Sequence, residues 1–563
     1  MFGILKHMLN NSDNSNLIIC LIFIIFFVCL MILRKKFADD SKKYLIWKIM
    51  CLIPLLVSVV HFCLHCIGQA CIYVIGNYTY IYLISVFIAL FPLMTYIKKN
   101  SIAKIVNIVN IVIISCVSFL SVFEYIDCVN VANYSYKTLS ASYISLCDYL
   151  EENYIMNEWK QIDYDKLKSQ GLVLVDEAER TGNIDKYYEA INDFVNSFYD
   201  GHMSFNVYDD DVDYKNRLLL NYNDYGIMMI TLDDGKTIAV DCEENIDIKN
   251  GDVITKWDNI PIDDAINNAT CPISECTTAN ENIMKTFYLS GIGGESVDVT
   301  YINADNEEVT TTLHKIDSAI PRFLRGRRYF LHTDDNDYYC KMLNSNIGYM
   351  RVTREETDDF HDIIAYLTGN HKFAREMYRK DLRKLREQGM TKLILDIRNN
   401  GGGYDEVSIA LASLFTKEKI YAYSFGAKYG NTIKSVQDRY ILADGEFSDI
   451  EVLVLTNMRC ASAGDGLVLY MSKLSNTTIA GISNPAGINQ ETGGRIYLPK
   501  GVLITYPTGI VLNEKGEFNI DVDYTKESRN PVEVKIPLTK DSALKIFNQE
   551  DYELEWAIQY LNN

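Results

Sequence analysis

"LILDIRNNGGGYDEVSIALASLF", residues 393–415, carries an apolar run through Asp396 and Arg398 into three consecutive glycines and then resumes with helical spacing. This is the pattern of a buried strand ending in a bare loop that opens a helix. The surrounding chain alternates in the same way: "IGYMRV" (347–352), a charged helix at about 356–388, "KLILDIR", a helix from 404, "IEVLVLTN" (450–457) and a helix after 463. Such alternation predicts an α/β layer with largely parallel strands, whose ligand sites lie at the strands' carboxyl ends. Two loops, "DIRNNGGG" and "TNMRCASAGDG", fall there.

Further out, the 563-residue chain has room for two or three domains, and its 48% hydrophobic content is concentrated at the front. Four stretches, at about 17–33, 44–67, 72–97 and 102–126, are apolar enough to span a bilayer. A cleaved leader fits poorly, because Arg34, Lys35 and Lys36 follow the first stretch and three more spans come after. Residues 1–127 are therefore expected to form an all-α transmembrane bundle of four spans, in contact with the lipid bilayer. Basic loops at 34–48 and 98–104 should face the cytoplasm, which makes this a multi-pass cell-membrane protein with everything after residue 127 extracytoplasmic. The net charge is −20, with ten Lys and Arg against five Asp and Glu in residues 1–127, so the remainder carries −25. That acidity argues against a nucleic-acid partner.

Seven of the 14 cysteines lie in or beside the apolar stretches and seven are scattered beyond them, with no CxxC pair among the latter. Cys271 and Cys276 are the one pair close enough to suggest a local bridge. "HFCLHC" sets His61 and His65 on one helical face near Cys63 and Cys66. Intramembrane histidines raise metal or transport roles, against interfacial polar packing as the plainer reading.

Beyond the apolar stretches, residues 128–215 read as helical, as in "DKYYEAINDFVNSFY" (185–199), with Tyr188, Ile191, Phe194, Val195 and Phe198 at three- and four-residue spacing. Residues 216–315 read as β-rich, with turns at Asp234-Gly235 and Asn250-Gly251. Within them "IKNGDVITKWDNIPIDDAI" (248–266) resembles a PDZ domain, which implies an α+β unit with a groove for a peptide C-terminus; an ordinary antiparallel subdomain is the alternative. Residues 316–563 form the α/β part.

The glycines at 401–403 lack the GK[ST] of a phosphate loop and the spacing of GxGxxG, so nucleotide binding is not expected. A glycine run opening a helix can instead present amide N–H groups to a developing oxyanion, although glycines alone also suit a tight turn. The second loop bears on that choice. Ser462, in "NMRCASAGDGLVLYM" (457–471), lies between Ala461 and Ala463, after a strand and at the start of a helix. Small neighbours let a peptide backbone approach a serine hydroxyl, and a helix N-terminus favours negative charge. Taken alone, most serines so placed are helix caps.

"LILDIRNNGGG" followed some 60 residues later by "NMRCASAGD", with "SFYDGHMSF" (197–205), "IGYMRV", the PDZ-like insert and "NPVEVKIPL" (530–538), resembles the tail-specific (C-terminal processing) serine peptidases, including their tricorn-core-like subgroup. The resemblance spans roughly residues 185–563 and implies a ClpP/crotonase-like α/β peptidase core. It implies Ser462 as nucleophile and the backbone of Gly402, Gly403 and Ala463 as the oxyanion hole. Many members use a lysine about 25 residues after the serine, but Gly487 stands there and no lysine occurs between Lys473 and Lys500. His202, in "DGHMSF", matches the histidine of tricorn-like members and is the expected base. Glu527 lies nearest the position of an orienting carboxylate, with Asp523 and Glu533 as rivals; Asp465 reads as a helix N-terminal acid. The expectation is a membrane-anchored serine endopeptidase acting on polypeptides, without metal or cofactor. A catalytically silent peptide-binding sensor with the same fold is the alternative that the missing lysine motivates.

Overall fold

The computed structural model describes residues 42, 131–207, 222–271, 276–318, 321–332, 338–429 and 432–563. The expected spans, the His61/Cys63/His65/Cys66 cluster and Cys128 lie outside the described residues. The expected fold class, with its four-span bundle, is therefore corrected: among the described residues no helix is long and apolar enough to cross a membrane, and the described architecture is an α/β core with two satellites.

The first satellite is helical. Strand β1 (Val131–Asn133) leads into α1 (Leu139–Asn153), α2 (Asn157–Lys160), α3 (Tyr164–Thr181), α4 (Ile184–Asn196) and β2 (Ser204–Val207). Tyr187, Tyr188, Ile191, Phe194 and Val195 line one face of α4 and are all buried, as their spacing requires. α3 stops at Gly182 in the left-handed region (φ 74°), whose N–H bonds the Ala178 carbonyl at 2.9 Å, and Asn183 caps α4.

The second satellite is an antiparallel sheet of β3 (Met228–Thr231), β4 (Thr237–Val240), β5 (Val253–Trp257), β7 (Ser296–Ile302) and β8 (Glu308–His314), in that order, with β6 (Ile260–Pro261) also on β5. Helices α5 (Ile262–Asn268) and α6 (Thr278–Leu289) complete it. The turns at Gly235 (φ 82°) and Gly251 (φ 92°) fall where the sequence put them. No disulfide bond joins Cys271 and Cys276, so the suggested local bridge is absent.

After α7 (Arg322–Leu331) comes the core: β9 (Tyr338–Met342), β10 (Ile347–Val352), α8 (Asp359–Thr368), α9 (Lys372–Glu387), β11 (Lys392–Asp396), α10 (Asp405–Ser413), β12 (Ile420–Tyr429), β13 (Thr432–Ile441), β14 (Glu451–Leu455), α11 (Ala463–Ser472), β15 (Thr477–Gly481), β16 (Gln490–Leu498), β17 (Val502–Leu512), β18 (Val534–Lys535), α12 (Lys540–Phe547) and α13 (Tyr552–Asn562). The central sheet runs β18-β15-β14-β11-β10-β9, parallel throughout except for β9. Alternation along β11 and β14 sends Leu393, Leu395, Val452 and Val454 toward α9, α10 and α11. Ile394, Leu453 and Leu455 face the other layer, with Phe323 of α7, Ile546 of α12 and Leu561 of α13.

Two features differ from the sequence reading. The single charged helix at 356–388 is two helices, because Gly369 (φ 72°) ends α8 with its N–H on the Ala365 carbonyl at 2.6 Å. A further sheet, β1-β16-β17-β12-β13 with β2 on β17, joins strands more than 300 residues apart. It carries α1, α3 and α4 on Ile496, Leu498, Val502 and Ile504, and so brings the "DGHMSF" segment to the core.

Candidate active site

Strands β11 and β14 are parallel neighbours, with Asp396 opposite Leu455, so their carboxyl-terminal loops meet. The meeting is close. A Cβ at Gly402 (φ 95°) would stand 2.5 Å from Ser462 Cβ, 2.9 Å from the Ala461 carbonyl oxygen and 3.0 Å from the Ala463 nitrogen. A Cβ at Gly464 would stand 2.7 Å from Asn400 Oδ1. The Ala461 N–H donates to the Asn400 carbonyl at 2.8 Å, fastening one loop to the other. Glycine is thus required at 402 and 464 by approach distance.

Ser462 occupies the N-cap position of α11, yet its hydroxyl caps nothing. Its backbone lies at φ 58°, ψ −130°, a region costly for any residue with a side chain and found where a strand turns sharply into a helix. The Ser462 N–H is held by the Ile488 carbonyl at 2.9 Å and its carbonyl by the Gly466 N–H at 2.9 Å, so the strained turn is over-determined. The helix-cap reading of this serine is excluded by that geometry.

Gly402 donates its N–H to Asn400 Oδ1 at 2.9 Å, so in this arrangement that amide is in use. The N–H groups of Gly403 and Ala463 are not engaged in any hydrogen bond among the described residues. Ala463 is the first residue of α11, where an amide has no partner within the helix.

His202 sits on a turn that Asp200 organises. Asp200 Oδ1 accepts the His202 N–H at 2.9 Å, and its Oδ2 accepts the Tyr154 hydroxyl at 2.7 Å. The ring Nδ1 pairs with Gln490 Oε1. An N–H donated there leaves Nε2 with the lone pair of a base. Desolvation holds the imidazole below its ordinary value, opposed by Asp200 and Gln490, so the ring is neutral at neutral pH. A Cβ at the neighbouring Gly201 would collide with Ile488 Cδ1. Ser462 and His202, 260 positions apart in sequence, are therefore both anchored on segment 488–490, although no hydrogen bond joins them directly.

Residues 346–526, containing both loops, match the model of peptidase family S41. The chain is a serine-type peptidase, and the third of it that carries both loops is similar to that family. Its substrate is polypeptide. Among solved structures, the chain is similar to mature CPAF complexed with lactacystin (13% identity, TM-score 0.49, covering 75% of this chain and 98% of that one). It is also similar to a putative peptidase from Parabacteroides merdae (16%, TM-score 0.40, 75% and 96%) and to the tricorn protease (16%, TM-score 0.34, 75% and 36%). No curated protein sequence matches it.

Gly487 (φ 76°), where the resemblance implied a lysine, is closely packed: a Cβ would stand 2.9 Å from Val522 Cγ1 and 3.0 Å from Thr277 Cγ2. Asp465 pins the same segment, its Oδ2 accepting the N–H groups of Gly487 (2.6 Å) and Ile488 (2.9 Å) and its Oδ1 accepting Asn530 Nδ2 at 2.8 Å. Burial pushes this carboxyl up to about 7. Its work is to hold 487–488 in place, which its position near a helix start did not convey.

The carboxylates expected beside the base lie elsewhere. Glu527 is exposed on the 523–530 loop, its N–H on Thr525 Oγ1 at 3.4 Å. Asp523 is bound to Thr525 and Arg529, and Glu533 accepts the Ile479 N–H at 3.1 Å. None of the three contacts His202 or Gln490. Asp521, which the sequence reading passed over, is fully buried: its Oδ1 accepts the Asn489 N–H at 3.0 Å and its Oδ2 has no partner. Burial pushes it up to about 7, against the favourable bond from Asn489. The available signal was an acid between the apolar residues Ile520 and Val522, which alone does not tell a buried face from an exposed one. Among the described residues no cluster of three or more His, Cys, Asp or Glu is arranged to hold a metal ion.

Proposed function

We propose that the chain is an endopeptidase in which Ser462 is the nucleophile, His202 the general base, Gln490 the group that orients the imidazole, and Gly403 and Ala463 the oxyanion donors. Ser462 Oγ attacks the peptide carbonyl while His202 Nε2 takes its proton. The oxyanion is met by the two unengaged amides, and the proton passes to the leaving amine. Water then attacks the acyl-enzyme with His202 again as base. Asp521, behind Asn489, is the carboxylate best placed to stabilise the segment that carries Gln490; Glu527 has no contact that would give it that part.

The observation that carries this reading is a strained, non-capping Ser462 beside two unused amides, with the His202 ring fastened to the strand segment that also holds the serine backbone. The test is cleavage of a disordered protein by the full chain and by Ser462→Ala and His202→Ala. Each variant should lose about 10³-fold or more in kcat, and the double variant little beyond that, since the two act as a unit. Wild-type cleavage by Ser462→Ala sinks the assignment.

Capture of a substrate C-terminus by the β3–β8 unit rests on the PDZ-like run at 248–266. Amidating the substrate's C-terminus should then lower kcat/KM. Membrane association, with the peptidase domain outside the cytoplasm, rests on the hydropathy of residues 17–126 and the basic segments 34–48 and 98–104. Protease added to intact cells digests an external domain and spares an internal one.

A further inference from the structure

Glu355 follows β10, buried among polar groups that the mechanism above does not use. It is 0% exposed. Its Oε1 accepts Asn400 Nδ2 at 2.6 Å, and the same nitrogen donates to the Val352 carbonyl at 3.0 Å. With its nitrogen so committed, Asn400 turns Oδ1 toward the Gly402 N–H. The main chain of Glu355 grips the glycine loop as well: its N–H donates to the Gly402 carbonyl at 3.1 Å and its carbonyl accepts the Tyr404 N–H at 2.9 Å. Any Cβ at Gly403 would run into the Glu355 carbonyl oxygen. Gly402 and Tyr404 are thus referred to this one residue, directly or through Asn400, while the Gly401 N–H goes to the Thr353 carbonyl at 3.1 Å.

We propose that Glu355 is a positioning residue for the oxyanion site: through Asn400 it retires the Gly402 amide and leaves that of Gly403, with Ala463, to face the carbonyl attacked by Ser462. The proposal rests on the assignment of Ser462 as nucleophile. It requires the neutral acid. Oε2 is buried without a partner, and the groups around the carboxyl supply no cation: Tyr378 on α9, Asp405 on α10, Cys460 before the serine and Glu356 on its own loop. Burial above all, reinforced by Asp405 and Glu356 and opposed by the Asn400 bond, pushes the carboxyl up to about 8. Ionisation would put an unpaired charge beside a second carboxylate in a dry site. Relief comes from moving residue 355 toward water, which breaks its main-chain hold on Gly402 and Tyr404.

The test is kcat and KM against pH from 6 to 10 for the full chain, Glu355→Gln and Glu355→Leu, with Ser462→Ala as reference. Glu355→Leu should lower kcat by about 10- to 100-fold with KM within about threefold, because the loss is confined to the transition state. Glu355→Gln, a neutral acceptor for Asn400, should recover most of that loss at pH 7. It should also lack the fall in kcat that the wild-type chain shows as pH rises through about 8. An unchanged kcat in Glu355→Leu, or identical alkaline limbs in wild type and Glu355→Gln, overturns the proposal; a dead Ser462→Ala beside either result shows that the nucleophile assignment still stands. Should Glu355→Leu fail to fold, the Glu355→Gln profile decides alone.

Discussion

Ser462 is held in a backbone conformation that most residues avoid, and Gly402 is the reason it fits. Gly402→Ala adds a Cβ at φ 95° into the Ser462 side chain, so the variant should lose about 1–3 kcal/mol of stability in urea unfolding and at least tenfold in kcat. At His202 the bond to Gln490 predicts a measurable change in titration. Desolvation lowers the folded-state value, so activity should persist below the usual imidazole range and fall only as the ring protonates. Gln490→Glu places a carboxylate beside Nδ1 and should move the acid limb of kcat/KM to higher pH; an unmoved limb would mean that Gln490 does not orient the base. Glu355 also carries a stability prediction. Its folded value is raised, so its contribution is complete below the unfolded carboxyl range and is lost as pH rises through about 8. Relative to wild type, Glu355→Gln should gain stability across that window by up to about 1.4 kcal/mol per pH unit, read from urea midpoints at pH 5, 7 and 9.

At the scale of elements, the strands of the central sheet were legible because they are buried on both faces and read as continuous apolar runs. β11 and β14, and the helices α10 and α11 that follow them, fall within a few residues of the sequence reading. The charged helix did not, because one glycine inside an amphipathic pattern is tolerated as often as it terminates. Here the left-handed Gly369 ends α8, and Gly369→Ala should cost about 1 kcal/mol by thermal or urea unfolding. The strands β12, β13, β16 and β17 lack a distinctive local signature. Their partners are each other and the distant β1 and β2, and pairing over hundreds of residues leaves no periodic trace in any one window.

For the whole molecule, the tie between the site and the C-terminus is a buried ion cluster. Arg398, one residue before the "NN" of the opening stretch, bonds Asp396 and reaches Asp551 (2.7 Å) and Glu553 (3.1 Å) at the start of α13. Arg398→Met should cost about 3–5 kcal/mol, because it leaves carboxylates buried without their cation. If the cluster transmits to the glycine loop, kcat falls with it; an unfolding midpoint equal to wild type would mean the cluster is not the tie described. By itself, the sequence determined the alternating α/β core, the two loops at its strand ends, Ser462 between small neighbours and the absence of a lysine at 487. These depend on local periodicity and residue size. Only the tertiary structure decided that Ser462 caps nothing, that Gly402 spends its amide on Asn400, that Asp521 is buried where Glu527 is exposed, and that Gln490 faces His202. Each of those depends on how the sheets bring segments remote in sequence together, as with Glu355 on Asn400 and Gln490 on His202.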